Sequence, residues 1–481
     1  MKSIHKYLID VITIVLITVS VLFLIYWFRY EPRDAIVLHV PGMDGQPDSL
    51  ALASNLPAVR IGEHFEQFDG APGTITGSWP RFRGANFDNI SREKIRLAES
   101  WPDGGPPVLW SVDLGEGHAA PAVHNGRVYV IDYDEENSAD ALRCFSLDTG
   151  NEIWRRWYEV HVKRNHGMSR TIPAVNDSFV VTIGPRCHVM CVKAQSGNFV
   201  WGIDLEREYG AREPLWYTGQ CPLIDDSTAV IAPGGSVLML GVHLKTGRIL
   251  WQVPNPNQWQ MSHSSIIPFT IHGRRTYIYC TVDGVIGVQA EGEDRGALLW
   301  TCTAWAHSVI APSPVLIGEN RLFFTAGYGA GSMVIQVNFN NGEFSTEVVA
   351  EYPPSAGLAS EQQTPILYEN HLYGIMPKDA GTYRNQLVCV DPADCRKIIW
   401  SSDKQRRFGM GPYILADNKF YILNDDGLLT VAKVNASSYN ELSSVQVLNG
   451  HDAWGPMALV NGRLLLRDSK EMVCVDIRAG K

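Results

Sequence analysis

The sequence predicts an all-β fold, an eight-bladed β-propeller that closes between its N-terminal and C-terminal strands and follows one N-terminal transmembrane helix. Three observations predict it. A strand, turn and tryptophan pattern recurs, with its clearest copy at Cys144–Trp154, C-F-S-L-D-T-G-N-E-I-W. An apolar strand that begins near a proline recurs eight times, at intervals of 44 to 52 residues. An uncharged apolar run stands near the N-terminus. Repeats of this period with four short strands are typical of propellers.

The composition is that of a globular protein, since 45% of the 481 residues are hydrophobic and 19% are charged. The formal net charge of −10 gives no general basic field for nucleic acid or anionic lipid. We therefore expect no nucleic-acid partner.

The N-terminal run Val11–Phe28 contains eighteen residues without a charge, at the short end of what spans a bilayer. A cleaved signal peptide is the competing interpretation, but no small-x-small cleavage site follows the run. We interpret residues 1–7 as a cytoplasmic stub and residues 8–30 as an uncleaved transmembrane anchor. The propeller is then expected on the extracytoplasmic, periplasmic side of the membrane.

Residues 31–78 carry proline, glycine and acidic residues with little periodicity, which indicates a tether. Within it, Ile36–Val40 and Ala58–Phe68 are candidates for local pairing. Residues 79–106 form a lead-in segment that begins with W-P-R-F-R-G, and residues 107–481 form the propeller.

Each repeat contains four predicted strands. The proline strand is followed by a turn such as Asn125-Gly126 and by a second alternating strand, which together indicate a hairpin. A third strand and a Thr-Gly turn then lead into the tryptophan strand. Further copies of this ending stand at Cys191–Trp201, Gly241–Trp251 and Gly296–Trp300.

The two ends of the repeat region complement each other. Trp110 ends a repeat that has no beginning, whereas residues 456–476 supply three strands with no final tryptophan. Pairing these segments would close the ring and leave no open sheet edge. Two blades depart from the pattern: one has Phe344 near the tryptophan position, and the blade after Leu428 lacks both the Thr-Gly turn and the tryptophan.

The cysteines and the repeated tryptophans are interpreted as packing residues. Four cysteines share the third-strand position of different blades and cannot bond one another, so they are predicted to be small buried hydrophobes; they are Cys144, Cys191, Cys389 and Cys474. Disulfides between Cys187 and either Cys191 or Cys221, and between Cys389 and Cys395, remain open. The tryptophans are expected to pack between blades.

The candidate site lies on the face opposite the Thr-Gly turns. In a four-stranded blade, the loops that precede the first strand and those that join the second and third strands share this face, which we call the long-loop face. Loops on a rigid scaffold concentrate binding residues, and a concave channel mouth is a default site. The predicted ligand-binding residues on it are His118, Arg170, Arg186, Tyr217, Gln220, His263, Gln363, Arg407 and Trp454.

The chemistry of these residues favours an anionic or planar ligand. Arg170, Arg186 and Arg407 suit an anion through bidentate contacts, and Trp216, Tyr217, Trp259 or Trp454 would stack a planar group. The alternative is that these side chains only cap strand ends and satisfy backbone groups.

Motifs for other chemistry are not found in the sequence. His161 and His166 lack helical metal-ligand spacing, and the acidic run from Asp132 to Asp140 lacks the glycine and spacing of a calcium loop. No serine is linked by motif to a histidine and an aspartate. We therefore predict no metal site and name no catalytic residue.

The repeat of an apolar strand, a small residue and D-x-x-T-G-x-x-x-W resembles the pyrroloquinoline quinone (PQQ) repeat family over about residues 107–476. The resemblance implies a seven- or eight-bladed propeller. That propeller serves quinoprotein alcohol dehydrogenases, the lipoprotein of the outer-membrane β-barrel assembly machine, and sensor domains. The W-P-R-F-R-G opening, with W-P-D-G-G-P-P-V-L-W after it, looks like exported bacterial proteins of this family.

The sequence departs from the quinoprotein dehydrogenases of that family. They stack the quinone against an adjacent Cys-Cys ring, and no two cysteines here are neighbours. The spacing of Cys187-His-Val-Met-Cys191 does not match C-x-x-C-H for a covalent haem. No motif supplies the Glu, Asn and Asp set for the accompanying Ca²⁺.

The predicted function is therefore a membrane-anchored, exported scaffold that binds through its long-loop face. Its expected partner is a protein or a small anionic ligand, with the membrane contacted through residues 8–30. The alternative is a PQQ-dependent quinoprotein oxidoreductase, an alcohol or sugar dehydrogenase, which would carry PQQ with calcium.

Overall fold

The computed structural model describes residues 2–29, 58–102 and 104–480. The predicted pairing segment Ile36–Val40 lies outside the described residues. Helix α1 spans Lys2–Arg29 and contains the apolar window Asp10–Trp27, with a mean hydropathy of 2.3. By length and composition this helix is able to cross a membrane. The predicted division into a stub, an anchor and a tether stays a prediction.

Eight antiparallel sheets confirm the predicted eight-bladed propeller. Each blade is a meander of four strands, numbered first to fourth from the axis outward. The strands are, for blade 1, Ala122–His124, Arg127–Asp134, Ala139–Ser146 and Glu152–Glu159; for blade 2, Ala174–Val175, Phe179–Ile183, His188–Lys193 and Phe199–Asp204; for blade 3, Leu223–Asp225, Thr228–Ile231, Val237–His243 and Ile249–Pro254; for blade 4, Ile267–Ile271, Arg274–Cys280, Val285–Gln289 and Leu298–Cys302; for blade 5, Val315–Gly318, Arg321–Ala326, Gly331–Asn340 and Glu343–Tyr352; for blade 6, Ile366–Tyr368, His371–Ile375, Leu387–Asp391 and Asp394–Ser401; for blade 7, Tyr413–Ala416, Lys419–Leu423, Leu428–Lys433 and Asn440–Gln446; and for blade 8, Ala458–Val460, Arg463–Arg467, Glu471–Asp476 and Val108–Asp113. A short helix, α2 (Leu205–Tyr209), follows the fourth strand of blade 2, and a 3₁₀ turn spans Gly381–Tyr383.

The ring closes as predicted, because the N-terminal strand of the propeller pairs with its C-terminal strands. Val108–Asp113 pairs antiparallel with Glu471–Asp476, and Trp110 lies opposite Cys474. Blade 8 is therefore built from both ends of the propeller, so that neither end leaves an unpaired edge between blades.

The repeated tryptophan packs on the glycine of the next blade. Trp110 lies over Gly150, and a Cβ atom added to that glycine would stand 2.8 Å from the indole ring. The Trp110 indole also donates to the carbonyl oxygen of Leu147 at 2.9 Å. The same stacking is seen for Trp154 on Gly197, Trp201 on Gly247 and Trp251 on Gly296. The D-x-x-T-G-x-x-x-W repeat thus encodes contacts between blades, because only glycine leaves room for the ring.

The small third-strand residue faces the tryptophan within the same blade. Cys144, Cys191, Cys389 and Cys474 lie opposite Trp154, Trp201, Trp400 and Trp110, and Gly241 and Gly287 take this position in blades 3 and 4. All nine cysteines are free and buried. Their predicted role as small core residues is confirmed, and none of the disulfides left open by the sequence is present.

Blade 5 corrects one detail of the sequence interpretation. In each blade a β-bulge interrupts the pairing of the third and fourth strands, and in the blades that have the repeated tryptophan it stands just after the bulge. In blade 5 the residue in this register is Ala350, opposite Val334, whereas Phe344 pairs with Phe339 near the turn. The hairpin is longer than in the other blades, so counting from Asn341-Gly342 placed the tryptophan position too early.

The segment before the propeller is packed against it from residue 58. Strand His64–Gln67 pairs antiparallel with the fourth strand of blade 1 as a fifth, outermost strand. Gly73 then bonds to the Gly126 carbonyl, and Thr74 bonds to the Asp148 carboxylate at the Thr-Gly turn. The end of the predicted tether therefore follows the surface of blade 1. We call residues 58–77 the strap.

The W-P-R-F-R-G segment enters the central channel. Ser78–Trp79 pairs with the first strand of blade 1, and the Arg81 guanidinium donates to the Ile224 carbonyl of blade 3. The Arg83 guanidinium, which is 4% exposed, donates to the Pro365 carbonyl beside blade 6. Ile90–Ser91 runs parallel to the first strand of blade 7. Since these partners stand around the ring, residues 78–91 form a plug across the axis.

Candidate ligand-binding recess

A recess with a cavity volume of about 100 Å³, open to solvent, lies at the channel mouth on the long-loop face. Five of the predicted site residues line it, because each immediately precedes or lies close to a first strand; they are His118, Arg170, His263, Gln363 and Trp454. Trp216 forms part of the wall, and Phe82 of the plug forms part of the lining. Whether these residues bind a ligand stays a prediction.

Arg170 is held in place by three backbone carbonyls. Its Nε donates to the Trp216 oxygen, and one Nη donates to the oxygens of Asn165 and His166 at 3.0 and 2.7 Å. No ion pair joins Arg170 to a carboxylate in the described part of the chain. Burial lowers the pKa of Arg170 to about 10, so the guanidinium stays protonated at neutral pH. Its orientation is fixed while its charge lacks a counter-ion.

His118 and His263 are neutral side chains beside this cation. The Nε2 of His118 donates to the His166 carbonyl at 3.0 Å, and that of His263 donates to the Leu215 carbonyl. Burial, and next the charge of Arg170, lower the pKa of His118 to about 3 and that of His263 to about 4. The two rings therefore add no positive charge near pH 7, and Arg170 is the cation of the recess.

Aromatic rings form much of the wall. The His118 and Trp454 rings stack with centroids 4.8 Å apart, and Trp216 lies 5.6 Å from Tyr328. Trp216 and Tyr217 adopt consecutive positive φ values of 62° and 71°, which is strained for side chains of this size. This turn presents the Trp216 carbonyl to Arg170. Strain that clusters beside a recess is typical of a functional site.

Four predicted site residues lie outside the lining. Gln220 is fully buried and is satisfied by both backbone groups of Ala232 and by Tyr279. The Tyr217 hydroxyl donates to the Lys163 carbonyl, and its side chain packs in the core of blades 1 and 2. Arg186 pairs with Glu213 and, at 3.7 Å, with Glu206, so its charge is already neutralised. Arg407 is half-buried away from the recess.

One important lining residue, Phe82, was hardly predictable from its sequence context. It belongs to the lead-in segment, which has no strand periodicity, and its only signal was an aromatic residue within W-P-R-F-R-G. The tilted ring contact between Tyr328 and Trp216 likewise had no signal in the sequence.

The comparison with known families confirms the resemblance to the PQQ-like repeat. The family described as outer membrane protein assembly factor BamB, which shares the PQQ-like repeat, matches residues 138–396 and 236–481. The chain belongs to this family. Together, the two matched ranges cover more than half of the chain. No curated protein matches it.

Solved propellers of two kinds resemble this PQQ-like repeat protein. BamB from Moraxella catarrhalis is 12% identical with a TM-score of 0.50, over 78% of this chain and 99% of that one. The quinohemoprotein alcohol dehydrogenase ADHIIG from Pseudomonas putida HK5 is 12% identical with a TM-score of 0.57, over 84% and 81%. The Comamonas testosteroni quinohemoprotein alcohol dehydrogenase is 12% identical with a TM-score of 0.56, over 84% and 81%. These likenesses show the fold alone.

The recess does not fit a quinone held with Ca²⁺. Calcium requires six to eight oxygen ligands, several from carboxylates, yet none of the described residues lining the recess is an aspartate or a glutamate. Its one cysteine, Cys221, has no cysteine neighbour in the sequence, and burial raises the pKa of this thiol to about 11. Nowhere in the described residues do three His, Cys, Asp or Glu side chains form a group suited to a metal ion.

Proposed function

We propose that this protein is a membrane-anchored, exported scaffold that binds an anionic group of a ligand or partner protein in the recess on its long-loop face. The observation that carries the proposal is Arg170, an oriented guanidinium with no carboxylate partner in a recess without acidic residues. A buried cation without a counter-ion is costly, and an incoming anion would offset that cost.

The surroundings of Arg170 support an anion with a planar body. Trp454 and Trp216 offer ring faces within the recess, and Ile172, Val309 and Pro456 add apolar wall. An aromatic carboxylate or the end of an acidic peptide would place its charge on Arg170 and its flat or apolar part between these side chains. Arg170 would then contribute a charge-assisted hydrogen bond that a neutral ligand cannot match.

Export and anchoring are part of the proposal. The apolar window Asp10–Trp27 supports the anchor through residues 8–30, and the family described as an outer membrane protein assembly factor supports an extracytoplasmic propeller. Fusion of a reporter enzyme to the C-terminus, active only outside the cytoplasm, tests the topology.

A matched pair of small probes tests the charge requirement. We expect 2-naphthoate to quench tryptophan fluorescence and to bind at least about tenfold more tightly than the isosteric neutral amide, since the charged hydrogen bond adds about 1.5 kcal/mol or more. The Ala311→Glu substitution puts a carboxylate into the recess and should abolish naphthoate binding. This change leaves the three carbonyls that hold Arg170 intact.

The control is Ala393→Glu, the same substitution at an exposed turn on the Thr-Gly face, which should leave binding unchanged. Equal affinity for the naphthoate and its amide, or equal loss in both variants, would refute the proposal. For a protein partner, affinity capture with full-length chain should recover the same protein from wild type and Ala393→Glu but not from Ala311→Glu.

A further inference from the structure

The outer edge of blade 1 shows what kind of segment can pair with the outermost strand of a blade. His64–Gln67 of the strap extends the blade as a fifth strand, with Phe65 opposite Arg156 and Glu66 opposite Arg155. The Phe68 amide donates to the carbonyl of Ile153, the bulged residue of the fourth strand, which is only 5% exposed. A short extended segment of this chain therefore covers both the unpaired backbone and the apolar bulge of this edge.

Blade 5 has the corresponding edge without a covering strand. Its fourth strand, Glu343–Tyr352, contains ten residues and is the longest outer strand of the ring. The bulged residue Val349, which corresponds to Ile153, is 45% exposed, and Val348 beside it is 43% exposed. In the described part of the chain no strand pairs with this edge. Long, apolar and unpaired edges recruit strands from other chains.

The charges on this edge decide which strand it accepts. Glu343, Glu347 and Glu351 are exposed, and no ion pair is formed by them within the described residues. Opposite charges stabilise a cross-strand pair and like charges destabilise it, so this acidic edge favours a strand with basic residues. A second copy of this chain would bring like charges together, which destabilises cross-strand pairs.

We propose that the outer edge of blade 5 is a docking site for an extended segment of a partner protein in which basic residues alternate with β-branched apolar ones. The segment pairs with Glu343–Tyr352 by β-augmentation, in which backbone hydrogen bonds provide affinity and side chains provide selectivity. Its basic residues meet Glu343 and Glu347, which share one face of the strand, and its apolar residues cover Val348 and Val349. Because of the bulge, Glu351 lies on the same face as Val348 and adds negative charge at that end of the edge. This site is separate from the recess and does not depend on an anionic ligand.

Two synthetic nonapeptides test the site on the full-length chain in detergent. One alternates lysine with valine and threonine, and the other has glutamate in place of each lysine. We expect the lysine peptide alone to bind, and to slow amide hydrogen exchange over residues 343–352. The variant Glu343→Lys, Glu347→Lys, Glu351→Lys should bind the lysine peptide roughly tenfold more weakly, because the negative charges along the edge become like charges for the peptide. It should also gain affinity for the glutamate peptide.

The control changes net charge equally at a distance from the edge. The variant Glu135→Lys, Glu136→Lys, Glu293→Lys replaces three exposed glutamates elsewhere and should keep the wild-type affinity. Equal weakening in both triple variants would overturn the proposal, because the peptide would then respond to overall charge. Protection without peptide of those amides in residues 343–352 that point away from Gly331–Asn340 would overturn it too, since a second copy or another part of this chain would already occupy the edge.

Discussion

Substituting Gly150 by alanine tests the contact that defines the repeat, at the blade where the ring closes. Gly150 has a φ of 72°, and a Cβ atom would stand 2.8 Å from the ring of Trp110. Alanine therefore meets two separate costs there. One is the left-handed backbone conformation, and the other is overlap with an indole fixed by its hydrogen bond to Leu147.

Gly273→Ala separates these two costs. Gly273 has a nearly identical φ of 74° but has nothing within 4 Å of an added Cβ atom. The left-handed conformation costs about 1–2 kcal/mol for alanine, and overpacking adds about 1–3 kcal/mol. We expect Gly150→Ala to lower the free energy of unfolding by about 2–5 kcal/mol and Gly273→Ala by about 1–2 kcal/mol.

Thermal unfolding followed by tryptophan fluorescence measures the difference. With an unfolding entropy of about 2.1 cal/mol/K per residue, a propeller of roughly 370 residues loses about 1.3 °C in Tm per kcal/mol. Gly150→Ala should thus lower the Tm by about 3–6 °C and Gly273→Ala by about 1–3 °C. Equal shifts in the two variants would refute close packing of Trp110 on the turn.

Two further predictions concern pH and the quinone. Burial raises the pKa of Asp140 to about 7, so its contribution to stability is complete below about pH 4 and is lost as the pH rises to 7. Asp140→Asn keeps an acceptor for the Tyr158 hydroxyl. As the pH rises through that range, the variant should become more stable than wild type by on the order of 4 kcal/mol. Plots of Tm against pH that run parallel for the two proteins would contradict this. After incubation with PQQ and Ca²⁺, we expect no retained quinone absorbance and no dye reduction with alcohols or sugars, because the recess supplies no carboxylate. A retained quinone would contradict the conclusion that the recess does not fit this cofactor.

The fold was predictable because its information is local and repeated. The Thr-Gly turn and the tryptophan recur at fixed spacing, and each contact they make is repeated in the neighbouring blade. Closure was predictable for the same reason, since Trp110 is an ending without a beginning. The tryptophan position predicted for blade 5 was wrong because the hairpin of its third and fourth strands is longer, so that Ala350 takes this position. No turn residue in the sequence indicates the extra length.

The plug was not predictable, because its partners are distant backbone atoms. Arg83 donates to the carbonyl of Pro365 and Asn89 to that of Tyr413. Every residue type carries such a carbonyl, so these bonds leave no pattern in the partner sequence.

Candidate site residues were predictable by position but not by partner. The register of a first strand places Arg170 and His118 at the channel mouth. It places Gln220 at the corresponding point of blade 3, yet that amide turns to the backbone of Ala232 and is buried. Arg186 is similarly committed to Glu213. Whether such a side chain is free to bind a ligand depends on whether another protein group already bonds to it. The periodicity of the strands does not indicate which group that is.

The plug also determines how a bound molecule would leave. With residues 78–91 across the axis and Phe82 among the residues that line the recess, a bound molecule would leave through the opening on the long-loop face. A protein docked over the long-loop face would then act as a cover, so that release of the small molecule beneath it must wait for that protein to dissociate. The residence time of the docked protein, and not affinity alone, would then determine how long the small molecule stays bound.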